Sequence, residues 1–369
     1  MTLVALNKFM QKYFLYLFAF VGVLIQNKSQ AQTVRKYSNE FLNIGVGAGS
    51  LGMSNSNMAL VGDVTSGYWN PAGLTRLENN LEVGLMHASY FASIAQYEYG
   101  GLGFKINDES AAGITYLRFG VDNIPNTSEL IDANGNINYD KITSFSATDN
   151  AFLFSYARKI GAVEGLSVGG NAKIIYRRVG DFANAWGFGL DASAQYKMEN
   201  WYFAAVARDV TSTFSAWSFD LEQFKDVYAA TGNAMPTNST EVSLPRLILA
   251  AGRQFTIKND FGIYPELDLD FTFDGKRNTL VSSNFTSIDP HLGLQLHYKN
   301  MLFLRTGVGN IQHETNSDGQ RVMTIQPNIG VGIKFKKIAL DYALTNVGGG
   351  SAAIYSNIFS LRIGINPAR

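Results

Sequence analysis

The chain has 369 residues, 30 basic and 30 acidic, with no cysteine, 36 glycines, 18 tyrosines and 25 phenylalanines, and only 16% of it is charged. Absence of cysteine excludes structural disulfides, thiol catalysis and lipid attachment through an N-terminal cysteine. A formal net charge of zero offers no basic footprint, so nucleic acid is not an expected partner.

At the N-terminus, Lys8 and Lys12 precede an apolar run from Tyr13 to Ile25, and Ser29-Gln30-Ala31 follows with small residues at minus three and minus one. That run of 13 residues falls short of the ~20 that a membrane-crossing helix needs. Residues 1–31 therefore read as a secretory signal peptide cut after Ala31. They hold three lysines and no acids, which leaves 27 basic against 30 acidic residues and a formal charge of −3 in the remainder. No comparable run occurs downstream, so residence in a membrane has to come from strands.

Residues 32–80 show no strand pattern and are rich in glycine, serine and asparagine. A barrel lumen left open passes solutes, so this segment is expected to fold as a hatch, or plug, inside the wall. Within it, Gly47-Ala48-Gly49-Ser50-Leu51-Gly52 has the letters of a dinucleotide fingerprint. No βαβ unit and no suitably placed carboxylate accompany it, so it reads as backbone flexibility and no cofactor is expected.

From residue 81 to 369 the chain alternates apolar and polar residues at period two, as a strand with one lipid face must. Val168, Ala172, Ile174 and Tyr176 oppose Ser167, Asn171, Lys173 and Arg177; Leu267, Leu269, Phe271 and Phe273 oppose Glu266, Asp268, Asp270 and Thr272; Phe359, Leu361, Ile363 and Ile365 oppose Ser360 and Arg362. The segments run at about the 9 to 11 residues of a tilted membrane strand, longer than the ~5 to 6 of a soluble sandwich. Tight turns fall at Asn107-Asp108, Gly161 to Gly165, Glu199-Asn200, Lys258 to Asp260, Lys299-Asn300 and Lys336-Lys337. Between them lie longer connections at 121–148, 180–184, 211–242, 274–288, 312–320 and 346–356, and a short one near 91–95. Six tight and seven mostly longer connections join fourteen strands. The expected fold is an all-β membrane protein: a fourteen-stranded antiparallel outer-membrane barrel with both termini periplasmic and the longer loops outward.

Motifs for catalysis are weak. His87, His291, His297 and His313 are scattered, so neither metal ligation nor an acid–base set is expected. Glu266, Asp268 and Asp270 read as part of an ordinary polar inner wall, balanced by lysines and arginines on other strands. No nucleophile elbow is present, and an enzyme is not expected. The connection at 211–242 carries Phe214, Trp217, Phe219, Leu221, Phe224 and Tyr228; aromatics in an outer loop mark either a binding surface or a lid. Phe214, Trp217 and Phe219 are taken as the partner contacts.

The run Lys36-Tyr37-Ser38-Asn39-Glu40-Phe41-Leu42-Asn43-Ile44-Gly45-Val46-Gly47-Ala48 through Leu51-Gly52-Met53, with Asp63-Val64-Thr65-Ser66-Gly67-Tyr68-Trp69-Asn70-Pro71-Ala72-Gly73-Leu74, resembles the PorV/PorQ family of the type IX secretion system of Bacteroidetes. Asn70, Pro71, Ala72 and Gly73 also resemble the hatch motif of FadL-like fatty-acid transporters. The resemblance covers about the first fifth of the chain. It implies a FadL-like barrel with an N-terminal hatch in the outer membrane, with no catalysis. It also implies partnership with the SprA translocon barrel, or carriage of secreted proteins with a C-terminal signal domain toward a sortase complex containing PorU. Ala48-Gly49-Ser50-Leu51 lacks the arginine expected after the glycine–alanine step, which implies a divergent paralogue. The alternative function is transport of hydrophobic small molecules across the outer membrane, with the aromatics and glycines of the hatch lining the route. Outer-membrane lipid is an expected neighbour in either case.

Overall fold

The period-two pattern builds one continuous ladder. A computed structural model describes residues 38–366, apart from 92, 132–134, 223–224, 226–227, 230–231, 233, 259, 316–317 and 347–355. The expected signal peptide, residues 1–31, lies outside the described residues. The strands are β1 (Leu81–Tyr90), β2 (Ala95–Lys105), β3 (Ser110–Asn126), β4 (Thr143–Lys159), β5 (Leu166–Val179) and β6 (Ala183–Met198). Strand β7 comes in two segments, Trp201–Arg208 and Thr213–Phe219, and β8 in three, Ser239–Ser243, Arg246–Arg253 and Phe255–Ile257. Then follow β9 (Phe261–Thr272), β10 (Ser287–Tyr298), β11 (Leu302–Thr315), β12 (Arg321–Phe335), β13 (Ile338–Thr345) and β14 (Ser356–Ile365).

Each strand pairs antiparallel with its neighbours in sequence, and β1 also pairs with β14, Leu81 opposite Ile365 and Ser89 opposite Asn357. The fourteen strands thus form a closed barrel with no free edge, which matters because an unpaired edge cannot be satisfied in lipid. No helix among the described residues is long and apolar enough to cross a membrane; the strands do the crossing. The expected tight turns fall between consecutive strands, residue 259 of the β8–β9 connection lying outside the described residues. At the β10–β11 turn, for instance, Lys299 and Asn300 both take positive φ, 52° and 52°, the twist-matched geometry of a two-residue hairpin.

The outer face is the apolar one. Leu85, Phe154, Phe188, Leu267, Leu292, Val331, Leu340 and Phe359 are exposed there, while Asn171, Lys173, Gln195, Glu266 and Asp268 are buried facing inward. Aromatic pairs girdle the outer face, with ring centroids 4.9 Å apart for Tyr116 and Phe152 and 4.7 Å for Tyr176 and Trp186, as expected near membrane interfaces. Inside, residues 38–80 fill the lumen as short helical turns: Glu40–Asn43, Ala48–Gly52, Ser66–Trp69 and Pro71–Arg76. Val46, Leu51, Met58, Tyr68 and Trp69 pack against Met86, Tyr97, Leu117, Ile175, Val206 and Ile248 of the wall in one buried cluster. Hydrophobic side chains that face inward are therefore covered by the hatch rather than by lipid.

The aromatics assigned to an outer loop are placed differently. Phe214, Trp217 and Phe219 stand on the second segment of β7, Thr213–Phe219, which pairs with β6 and β8. Phe214 is exposed on the outer face beside Phe188, with centroids 5.8 Å apart. Trp217 and Phe219 take the other face and stack on one another, centroids 6.0 Å apart. The break that imitates a loop is short: Asp209 and Ser212 both sit at φ 56°, and the ladder resumes at Thr213.

Candidate functional site

The hatch is held by the wall through its backbone. Wall residues at successive inward positions of β9, Glu266 and Asp268, meet four consecutive hatch amides. Asn57 and Met58 N–H donate to Asp268 Oδ2 at 3.1 and 3.2 Å, and Ala59 and Leu60 N–H donate to Glu266 Oε1 and Oε2 at 2.7 and 3.1 Å. Glu266 also accepts from Tyr264 OH at 2.7 Å. From β6, Gln195 Nε2 donates to the carbonyls of Ala59 and Val61 at 2.9 and 2.8 Å. Arg208 of β7 donates to Leu42 O at 3.2 Å, and Asn171 of β5 to Gly67 O at 3.0 Å. Arg362 of β14 pairs with Asp63. The acidic line read as ordinary inner wall is therefore a clasp on residues 57–60, because a loop with no ladder of its own needs acceptors for its buried amides.

The Asn70-Pro71-Ala72-Gly73 motif turns the chain inside this structure. Asn70 is fully buried; its Oδ1 caps Ala72 N–H at 3.2 Å and its Nδ2 donates to Met58 O at 2.9 Å, while Pro71 opens the Pro71–Arg76 turn with its fixed φ. A Cβ on Gly73 would lie 2.5 Å from Val61 O, and one on the wall residue Gly169 would lie 2.6 Å from Ala72 N. Only hydrogen fits at either place, so the motif rests directly on β5. Burial holds the Arg76 guanidinium below its ordinary value, against the pull of Tyr202, Tyr264, Glu266 and Asp63.

On the loop side of the hatch lies a cavity of about 660 Å³. Its apolar part comes from Leu51, Met58, Trp69 and Ile248; its polar part from Asn55, Arg208, Arg246, Asp268, Arg277, Asp289 and His291. The arginines are mostly committed. Arg246 pairs with Asp270, and Arg277 pairs with Asp274 at 2.6 Å and Glu40 at 3.3 Å. Burial alone lowers Arg277, but the hydrogen bonds to Asp274 and the nearby Glu40 raise it above its usual value. Ser54 Oγ, Asn55 Oδ1, Tyr90 OH, Thr272 Oγ1 and Asp289 Oδ1 are buried without a hydrogen-bond partner among the described residues, and all belong to residues that line this cavity. Neither Phe214, Trp217 nor Phe219 reaches it. The hatch aromatics expected along an apolar route are otherwise engaged: Tyr68 OH donates to Leu42 O at 2.7 Å, Trp69 Nε1 donates to Val46 O at 2.9 Å, and Phe41 is buried.

Among solved structures the chain is similar to the monoaromatic hydrocarbon channel CymD, with TM-score 0.55 and 13% identity over 88% of this chain and 99% of that one. It is similar also to the Pseudomonas putida toluene transporter TodX, with TM-score 0.55 and 12% identity over 87% and 98%. The Ralstonia pickettii toluene transporter TbuX gives TM-score 0.52 and 12% identity over 87% and 99%. These are FadL-like outer-membrane barrels, and the chain shares their fold. No family model and no curated protein matches the sequence.

Proposed function

We propose that the chain is an outer-membrane uptake barrel. A small molecule enters the cavity above the hatch and passes when the hatch yields. The observation that carries this is the 660 Å³ cavity whose floor is a hatch fastened to the wall by hydrogen bonds, in a barrel shaped like hydrocarbon channels. The lining narrows the ligand. A bare hydrocarbon would take water from polar groups of the lining such as Asn43, Asn278 and Gln326, at a cost of about 1–3 kcal/mol for each one left unpaired. A molecule with an apolar body against Trp69, Met58 and Ile248 and one or two donor groups satisfies both parts of the lining.

A second reading is an accessory role in type IX secretion, docking a SprA-like translocon barrel or secreted proteins with a C-terminal signal domain, with Phe214, Trp217 and Phe219 as contacts. What favours it is the fastening of the hatch to β5, β6, β7, β9 and β14, which makes a fixed platform, together with the resemblance of its N-terminal motifs. Extraction in mild detergent followed by mass spectrometry of small molecules and proteins separates the two. A stoichiometric amphiphilic small molecule is expected. A very large barrel, or proteins sharing a C-terminal signal domain, copurifying with no such molecule would transfer the conclusion to secretion, provided that F214A/W217A/F219A releases them.

A further inference from the structure

The outer wall carries a feature that an inert lipid-facing surface does not need. On β1 the outward residues run Leu81, Val83, Leu85 and then His87; on β2 they run Phe104, Leu102, Gly100 and then Glu98. His87 and Glu98 are register partners, and their side chains meet at 2.7 Å on the outer face with 52% and 36% of their surface exposed. Arg118 is the register partner of Glu98 on β3, and its guanidinium turns away over Gly120 to pair with Asp122 at 3.3 Å. Charge on the lipid face of a barrel is disfavoured except toward the interfaces, so this row marks where the apolar belt ends on β1–β3.

Beside the pair lies a groove of about 860 Å³ across β12, β13, β14, β1, β2 and β3. Apart from His87 and Glu98, the outward side chains that line it are apolar or aromatic, among them Leu85, Tyr116, Ile333, Leu340 and Phe359. Gly100 forms part of its bed, and a Cβ there would meet nothing within 4 Å, so the groove is open where β2 has no side chain. It is thus an apolar trough closed at one end by an anionic acceptor: Glu98 Oε1 is held by His87, and Oε2 has no partner among the described residues.

We propose that this groove binds one phospholipid with a phosphoethanolamine headgroup. Its acyl chain lies over Gly100, Leu85 and Leu340, and its ammonium sits on Glu98. A primary ammonium is the group that complements a carboxylate at the end of an apolar trough. Phosphatidylglycerol has the same phosphate and chains but no ammonium.

The test uses the full chain in detergent, with phosphatidylethanolamine and phosphatidylglycerol of identical acyl chains as probes and native mass spectrometry as the readout. Phosphatidylethanolamine is expected to be retained roughly tenfold more strongly, Glu98→Gln to bring the two lipids level, and Gly100→Leu, which fills the trough, to lower retention of both. Unboiled electrophoretic mobility identical to wild type shows that each variant is folded. Equal retention of the two lipids by the wild type overturns the proposal, as does a preference that survives Glu98→Gln. A photo-crosslinker at Leu361 that captures an outer-membrane protein instead of lipid overturns it as well.

Discussion

Glu266 and Asp268 receive four consecutive backbone N–H groups of the hatch, a concentration of hydrogen bonds unmatched elsewhere between hatch and wall among the described residues. An amide keeps one acceptor oxygen and turns the other into a donor, and a buried N–H left without an acceptor costs about 1–3 kcal/mol. Replacing both carboxylates by amides, Glu266→Gln with Asp268→Asn, should therefore speed hydrogen exchange of the amides of residues 57–60 by tenfold or more, with exchange in β3 and β4 unchanged. Exchange as slow as in the wild type would show that the clasp does not hold the hatch. Asn70 works at the same scale. Asn70→Ala removes both a cap and the donor to Met58 O, with an expected loss of about 1–3 kcal/mol read as a lower unfolding midpoint. The alternation that puts Glu266, Asp268 and Asp270 on one face was legible in the sequence. Their partners were not, because nothing local ties residue 266 to residue 59.

Among elements, the hatch meets the wall by close backbone approach. A Cβ on Gly307 of β11 would lie 2.3 Å from the carbonyl carbon of Met53, so Gly307→Leu should displace the Ala48–Gly52 turn while leaving the ladder intact. Protease cleavage within residues 45–60 is expected to rise while β-sheet circular dichroism stays the same; a hatch as resistant as the wild type would contradict this packing. Strand count and tight turns were readable because each strand carries its own period-two signal and each hairpin its own turn residues. The long connection at 211–242 was not, because the positive-φ residues Asp209 and Ser212 have the local chemistry of a strand end. The ladder resumes at Thr213 only through pairing with β6 and β8. The motif Asn70 to Gly73 showed itself as a turn, but its seat on Gly169 required coordinates.

For the whole molecule, closure of the barrel rests on the β1–β14 pair, where Leu85 stands opposite Leu361. The chain has no cysteine of its own, so Leu85→Cys with Leu361→Cys offers a clean test. Mild oxidation should remove both thiols from maleimide labelling in the folded protein, given the ~4.5–5.5 Å Cβ separation of directly opposed pairs; persistent labelling of both would contradict the closed ring. A closed wall around a fastened hatch makes the central claim one about passage: the lumen is shut at rest, and the Glu266–Asp268 clasp is what must open. Single-channel conductance in a planar bilayer tests this most directly, comparing the wild type with Glu266→Gln/Asp268→Asn. A silent wild type and a double variant with discrete openings are the predicted result. A wild type that conducts steadily, or a variant as silent as the wild type, would contradict it.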